Sequence, residues 1–216
     1  MAAKAAIAYV REHFASSHTF AHGTSAGSIG SFSVAYTFER AGLRLSGIVM
    51  DSHVLSEAFV ELITDLGCTP YDPLLVAAKI GPLTDPENLP DQVVARGDIS
   101  VPIMHVWDRG DPTCCGETPF TYAGDDGLEH TMGACDYHHE RLRAAIEAQP
   151  PAGTSENLRL CVNDPATTTP GACDMHSPTK IAFDEPTPPG DQDDGGADYN
   201  EHILGWVDAR LTEPAP

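Results

Sequence analysis

The sequence predicts a single α/β domain with a mostly parallel sheet and helices on both of its faces. Short apolar runs that end in polar residues alternate with amphipathic stretches of helical period, which is the pattern of parallel strands connected by helices. The chain has 216 residues, of which 41% are hydrophobic and 20% charged. This length and composition are typical of one globular domain with a sizeable core.

The first part of the chain alternates regularly between helix and strand. Ile7, Val10 and Phe14 share one helical face among good helix-forming residues, and a later apolar run ends at the polar Asp51. We therefore expect a helix over 3–14, a strand over 18–22, a helix over 26–40 and a buried strand over 43–50.

The remainder continues this alternation after a long excursion. Residues 54–99 contain one predicted helix and then irregular chain rich in proline, glycine and aspartate, and this segment is long enough to form a cap over the sheet edge. No repeat or linker divides the chain, so residues 1–216 are assigned to one domain. The further expected elements are a helix over 55–66, strands over 101–107, 158–162 and 180–183, and helices over 137–148 and 202–211.

The charge balance argues against two classes of partner. Lysine and arginine number 12 and aspartate and glutamate 32, which gives a formal charge of -20. This sign opposes binding to nucleic acid or to an anionic membrane surface. No apolar run approaches the roughly 18 residues of a membrane span, and the N-terminus has no apolar stretch of a signal peptide, which fits a leader that was removed or a chain that starts late.

The six cysteines form an even set without a C-x-x-C pair, which favours disulfides and an oxidising compartment. The protein is therefore expected to be secreted or extracellular. Cys161 and Cys173 are close enough in sequence to close one loop. The adjacent Cys114 and Cys115 are expected to have different partners, because a bridge between neighbours strains its peptide. The other pairings stay open.

The pentapeptide Gly23-Thr24-Ser25-Ala26-Gly27 lies between an apolar strand and a helix, the context in which a G-x-S-x-G pattern indicates a nucleophile elbow. Such a turn strains the serine backbone and is expected to require glycine at both Gly23 and Gly27, because a Cβ there would collide with strand or helix. It also directs the first helical amides at an oxyanion formed on Ser25. The Ala26 N–H is the expected donor.

A serine nucleophile needs a histidine to accept its proton and a carboxylate to orient that histidine. His202 is the preferred histidine of the ten, because it follows an acidic, glycine-rich loop late in the chain, as the order serine, aspartate, histidine predicts. Asp111, in the loop after the third buried strand, is the preferred acid. Asp108 in the same loop and Asp51 at the end of the previous strand remain alternatives.

Three segments carry a resemblance to a known superfamily. The elbow GTSAGS, the strand and loop VPIMHVWDRGDP and the terminal EHILGWVDARL resemble the second half of a secreted α/β-hydrolase esterase. The elbow is similar to those of pectin acetylesterase-like and polyhydroxyalkanoate depolymerase-like enzymes. The resemblance implies a reduced α/β-hydrolase fold and ester substrates, including polymeric esters such as aromatic polyesters of the PET type.

The chain departs from this family before the elbow, where only about 17 residues precede the nucleophile strand. We therefore expect the loop that gives such enzymes their second oxyanion N–H to be missing, and the loss of one such donor lowers rates by roughly 10²- to 10³-fold. The nucleophile strand is also expected to form a sheet edge, which favours a homodimer through that edge.

The sequence thus predicts a serine esterase that forms an acyl-enzyme and needs no cofactor. A catalytically impaired fragment or binding module and a serine peptidase remain the alternatives. No metal is expected. The acidic segment 191–202 differs from a calcium loop at two ligand positions, and the neighbouring His138 and His139, near Cys135 and Asp136, should point to different faces of a helix.

Overall fold

We describe the protein from a computed structural model. The described residues are 2–14, 16–53, 89–108, 111, 114–115, 119–123, 128–149, 155–160 and 199–216. The predicted helix over 55–66 and strand over 180–183 lie outside these ranges, as does most of the excursion over 54–99.

A four-stranded parallel sheet is the centre of the fold. Its strands, in their order across the sheet, are β1 (Phe20–Thr24), β2 (Gly47–Asp51), β3 (Ile103–Asp108) and β6 (Glu156–Leu160). Thr24 pairs with Asp51, and Asp51 with Val106, so the carboxyl ends of the first three strands meet at one edge of the sheet. The α/β class predicted from the sequence is confirmed.

Both faces of this sheet carry helices because successive strand residues point to opposite sides. Ile48 and Met50 belong to the larger buried cluster. That cluster also contains residues of α2 (Ala26–Arg40), α3 (Pro90–Ala95) and α4 (Arg141–Glu147). Val49 of the opposite face packs with Trp206 of α5 (Tyr199–Leu211).

Two further elements flank this core. Helix α1 (Ala2–Phe14) packs Ile7 against the larger cluster, and a separate antiparallel hairpin joins β4 (Phe120–Ala123) to β5 (Glu129–Met132). A π-helical turn at Asp136–Glu140 leads into α4. Among the helices of the described ranges, none combines the length and the apolar character that crossing a membrane requires.

The sequence located most of these elements but misplaced several ends. The strand predicted over 43–50 begins at Gly47, because the parallel ladder starts where Gly47 pairs with Phe20. Arg44 precedes the ladder, and its carbonyl accepts a hydrogen bond from the Arg11 guanidinium. The strand predicted over 18–22 is displaced towards the elbow for the same reason. Helix α3 and the hairpin β4–β5 were not predicted.

Among the described residues, β1 is an edge strand of the four-stranded sheet. This position agrees with the edge expected for the nucleophile strand. The homodimer through that edge stays a prediction.

Candidate active site

The chain makes a strained turn at Ser25, between the end of β1 and the start of α2. Ser25 has φ 54° and ψ -126°, which is a conformation that non-glycine residues rarely adopt. Such strain costs about 1–3 kcal/mol and persists only where the surroundings impose it. Here the Ser25 N–H donates to the Asp51 carbonyl at 2.9 Å, and the Ser25 carbonyl accepts from the Ser28 N–H at 2.9 Å.

The two glycines of the elbow have different roles. A Cβ on Gly23 would lie 2.0 Å from the Gly27 carbonyl oxygen, so the strand and the helix can approach only if residue 23 is glycine. A Cβ on Gly27 would meet nothing within 4 Å in the described part of the chain. The collision that the sequence led us to expect is present at Gly23, whereas at Gly27, which supplies backbone atoms to this contact, no described atom would meet an added Cβ.

The start of α2 provides hydrogen-bond donors beside Ser25. The first N–H groups of a helix have no intrahelical acceptor, and their partial positive charge favours an anion. The Ser28 N–H is occupied by the Ser25 carbonyl, which leaves the N–H groups of Ala26 and Gly27 at the tip of the helix. The first turn of α2 contains no acidic residue that would compete for these donors.

Polar side chains are buried where β1, β2 and β3 end. We call this group the carboxyl-edge cluster. All of its members are at most 4% exposed: Ser28, Asp51, Ser52, His53, Asp108, Asp111, Cys114, His138 and His139. Burial of so many polar groups is unfavourable unless they bind one another or a ligand, and such clusters are typical of functional sites.

His53 connects this cluster to the elbow. The Ser28 hydroxyl donates to the Ser25 carbonyl at 2.5 Å and lies 3.1 Å from His53 Nδ1. Because the hydroxyl has one hydrogen, His53 Nδ1 must be the donor in the second bond. Nε2 is therefore the unprotonated nitrogen of a neutral ring, and it has no hydrogen-bond partner among the described residues.

Asp111 organises the turn after β3. Its carboxylate accepts from the Cys114 N–H at 3.1 Å and its carbonyl from the Cys115 N–H at 2.8 Å. Both alternative acids are also buried. Asp108 is the last residue of β3, and its carbonyl oxygen accepts a hydrogen bond from the Asp111 N–H. Asp51 lies beside the elbow, and its carboxylate accepts a hydrogen bond from the Ser52 hydroxyl at 3.2 Å.

His202 lies in a different region from Ser25. It is the fourth residue of α5, which begins at Tyr199 and not at His202 as predicted, and its Nε2 lies 3.0 Å from the Glu156 carboxylate. Glu156 is the first residue of β6, whereas Ser25 follows the opposite end of β1. β1 and β6 are separated by three inter-strand spacings, or roughly 14 Å. The structure thus places Asp51 and His53 near the elbow and does not place His202 there.

A disulfide joins Cys115 to Cys135, the residue that precedes the π-helical turn. Cys114 is a buried thiol. Cys115 is thus bonded to Cys135 and not to its neighbour Cys114, as the sequence predicted, while Cys161 and Cys173 lie outside the described residues. Burial, together with the nearby Asp111 carboxylate, raises the pKa of the Cys114 thiol.

Burial lowers the pKa of three histidines in this region, to about 4 for His105 and His138 and well below the ordinary value for His53. In the unfolded chain these histidines have an ordinary pKa of 6.5, so below that pH they bind protons that they do not bind in the folded chain. The free energy of unfolding should therefore be highest above pH 6.5 and fall towards pH 4, by up to about 3 kcal/mol for each of His105 and His138.

Urea unfolding measured between pH 7.5 and 4.5 tests this dependence. His138→Gln should weaken the dependence, and His13→Gln, at an exposed position of α1, should leave it unchanged. A free energy of unfolding that stays constant over this range would contradict the burial of neutral histidines.

Comparison with known proteins adds no relative. No family model matches the chain, and no curated protein or solved structure matches it. The elbow and the carboxyl-edge cluster are therefore the features of the chain that indicate a function.

Proposed function

We propose that the protein is a carboxylic ester hydrolase with Ser25 as its nucleophile. One observation carries this proposal: Ser25 adopts a strained backbone conformation in a turn from a parallel strand directly into a helix. A structural turn would relax this strain with glycine or asparagine, whereas a nucleophile benefits from a hydroxyl raised above the sheet edge. The Ser25 side chain makes no hydrogen bond to the described residues and is half-buried, which fits a group that meets a substrate.

The proposed reaction is an acyl transfer through Ser25. Ser25 Oγ attacks the ester carbonyl carbon while a histidine accepts its proton, and the Ala26 N–H stabilises the negative oxygen of the tetrahedral intermediate. The same histidine then protonates the leaving alkoxide, which departs as an alcohol. Water, deprotonated by this histidine, attacks the acyl-enzyme and releases the acid and Ser25.

Two histidines are candidates for the proton acceptor. Chain order favours His202, with Asp111 as the orienting acid, but this choice requires His202 to leave Glu156 and approach Ser25. Position favours His53, whose unprotonated Nε2 lies in the cluster that reaches the elbow through Ser28. Chain order is the ground on which we propose His202 with Asp111, and His53 is the alternative that its position supports.

Single substitutions distinguish the two histidines. If His202 is the base, His202→Ala should lower kcat for p-nitrophenyl acetate by about 10³-fold or more, because Ser25 loses its proton acceptor. His53→Gln, which keeps a donor for Ser28, should then lower kcat far less. The opposite result, with both variants folded by circular dichroism, would assign the base to His53.

Covalent labelling tests the proposal as a whole. A fluorophosphonate probe should attach to Ser25 and be found on the peptide that contains it, whereas an impaired fragment or binding module would stay unlabelled. Comparing ester with amide substrates separates an esterase from a serine peptidase. The resemblance of the elbow to those of polyester-cleaving enzymes supports polyesters, including aromatic ones, as the substrate class that we propose, and polyester films are the substrate that tests it.

A further inference from the structure

We propose that Asp111, Cys114 and His139 bind one divalent cation, with zinc as the best match. The three side chains each offer a ligand atom, and these atoms lie within 4.8 Å of one another. All three residues are fully buried. A tetrahedral zinc site with ordinary bond lengths separates its ligand atoms by roughly 3.3–3.8 Å, so a small contraction around the ion completes the geometry.

The chemistry of the three ligands selects the metal. Zinc in proteins is bound by thiolate sulfur, imidazole nitrogen and carboxylate oxygen, whereas magnesium and calcium prefer oxygen alone. On binding, the cation replaces the proton of the Cys114 thiol, which is released to solvent. The thiolate and the Asp111 carboxylate then balance the two positive charges, so the buried complex carries no net charge.

A chain of hydrogen bonds prepares His139 as a ligand. Asn157 Oδ1 lies 3.1 Å from His105 Nδ1, and His105 Nε2 lies 3.3 Å from His139 Nδ1. The amide oxygen can only accept, so a neutral His105 carries its hydrogen on Nδ1 and accepts a hydrogen from His139 Nδ1. This arrangement makes Nε2 the unprotonated nitrogen of His139. An outer hydrogen bond of this kind is typical of metal-binding histidines.

Covalent and backbone bonds hold the three ligands together. The disulfide between Cys115 and Cys135 joins the neighbour of Cys114 to the start of the helical segment that carries His139. The bond from the Cys114 N–H to the Asp111 carboxylate fixes the turn that carries the other two ligands. The Cys114 thiol donates a hydrogen bond to the Ser52 carbonyl oxygen at 3.8 Å, which further fixes the position of the sulfur.

Metal binding to the full chain tests the proposal without reference to ester hydrolysis. Chelator-treated protein, dialysed against zinc and passed through a desalting column, should retain one equivalent of zinc. Cobalt(II) in place of zinc should produce a near-ultraviolet charge-transfer band, which reports a thiolate ligand. Cys114→Ser should abolish this band, and both Cys114→Ser and His139→Gln should weaken zinc binding at least about 10-fold.

His13→Gln, at an exposed position of α1, is the matched control and should bind zinc as the unmodified chain does. Equal zinc retention by Cys114→Ser would overturn the proposal, because it would show binding at surface groups. A cobalt complex of the unmodified chain without the thiolate band would overturn it as well. This second result needs no variant, so the proposal stays testable even if Cys114→Ser fails to fold.

Discussion

Ser25→Ala is expected to lower kcat/KM for p-nitrophenyl acetate by at least about 10³-fold and to abolish fluorophosphonate labelling. Alanine lacks the oxygen that forms the acyl-enzyme, so only binding and the N–H groups at the start of α2 remain to accelerate hydrolysis. The free energy of unfolding should change by less than about 0.5 kcal/mol, because alanine tolerates this φ no worse than serine and the Ser25 hydroxyl bonds to none of the described residues.

The matched control is Ser33→Ala, a substitution on the same helix away from the elbow, which should leave both rate and labelling unchanged. Circular dichroism spectra of the three proteins should coincide. Full activity in folded Ser25→Ala would show that Ser25 is not the nucleophile. Equal inactivity of the unmodified chain and the variant would favour the binding module.

The elbow was predictable because its causes are local. A strand, a tight turn and a helix follow one another within a few residues, and the glycine at Gly23 is required by a contact only four residues away. The same holds for α1 and α2, whose apolar periodicity and helix-forming residues determine them without help from the rest of the chain. The sheet class followed from the alternation of these elements.

The partners of the polar groups were not predictable, because they depend on contacts between distant segments. His53 meets Ser28 only when β2 aligns with β1, and His139 meets His105 only when the helical segment packs on β3. In the sequence, the possible metal ligands beside His139 are its neighbours, His138 above all. The ligand set that the fold assembles combines His139 with residues of the preceding turn.

The position of His202 shows the limit of reasoning from order alone. The order serine, aspartate, histidine selects a histidine late in the chain but says nothing of where its helix lies relative to the sheet. In the structure, Trp206 anchors that helix by packing against Phe20 and over Gly47. His202, one turn earlier, then meets Glu156.

Gly23→Ala and Gly27→Ala form the most informative pair of substitutions for the elbow, because they are chemically identical and differ only in the space available. At Gly23 the added Cβ would overlap the Gly27 carbonyl at 2.0 Å, so β1 and α2 must separate. Backbone atoms cannot rotate away as a side chain can. We expect a loss of about 2–4 kcal/mol in the free energy of unfolding, together with loss of fluorophosphonate labelling.

At Gly27 the added methyl group meets nothing within 4 Å among the described residues, and the residue lies in a helix without a positive φ. Alanine should therefore raise the free energy of unfolding by about 0.5–1 kcal/mol, because it reduces the conformational freedom of the unfolded chain. Urea unfolding of both variants beside the unmodified chain measures the difference. Equal losses in the two variants would mean that α2 does not approach β1 as closely as described. A third outcome is a Gly23→Ala variant that is destabilised yet still labelled by the fluorophosphonate. That result would show that the reactivity of Ser25 does not depend on the tight turn, and would assign it to the carboxyl-edge cluster and not to the strained backbone.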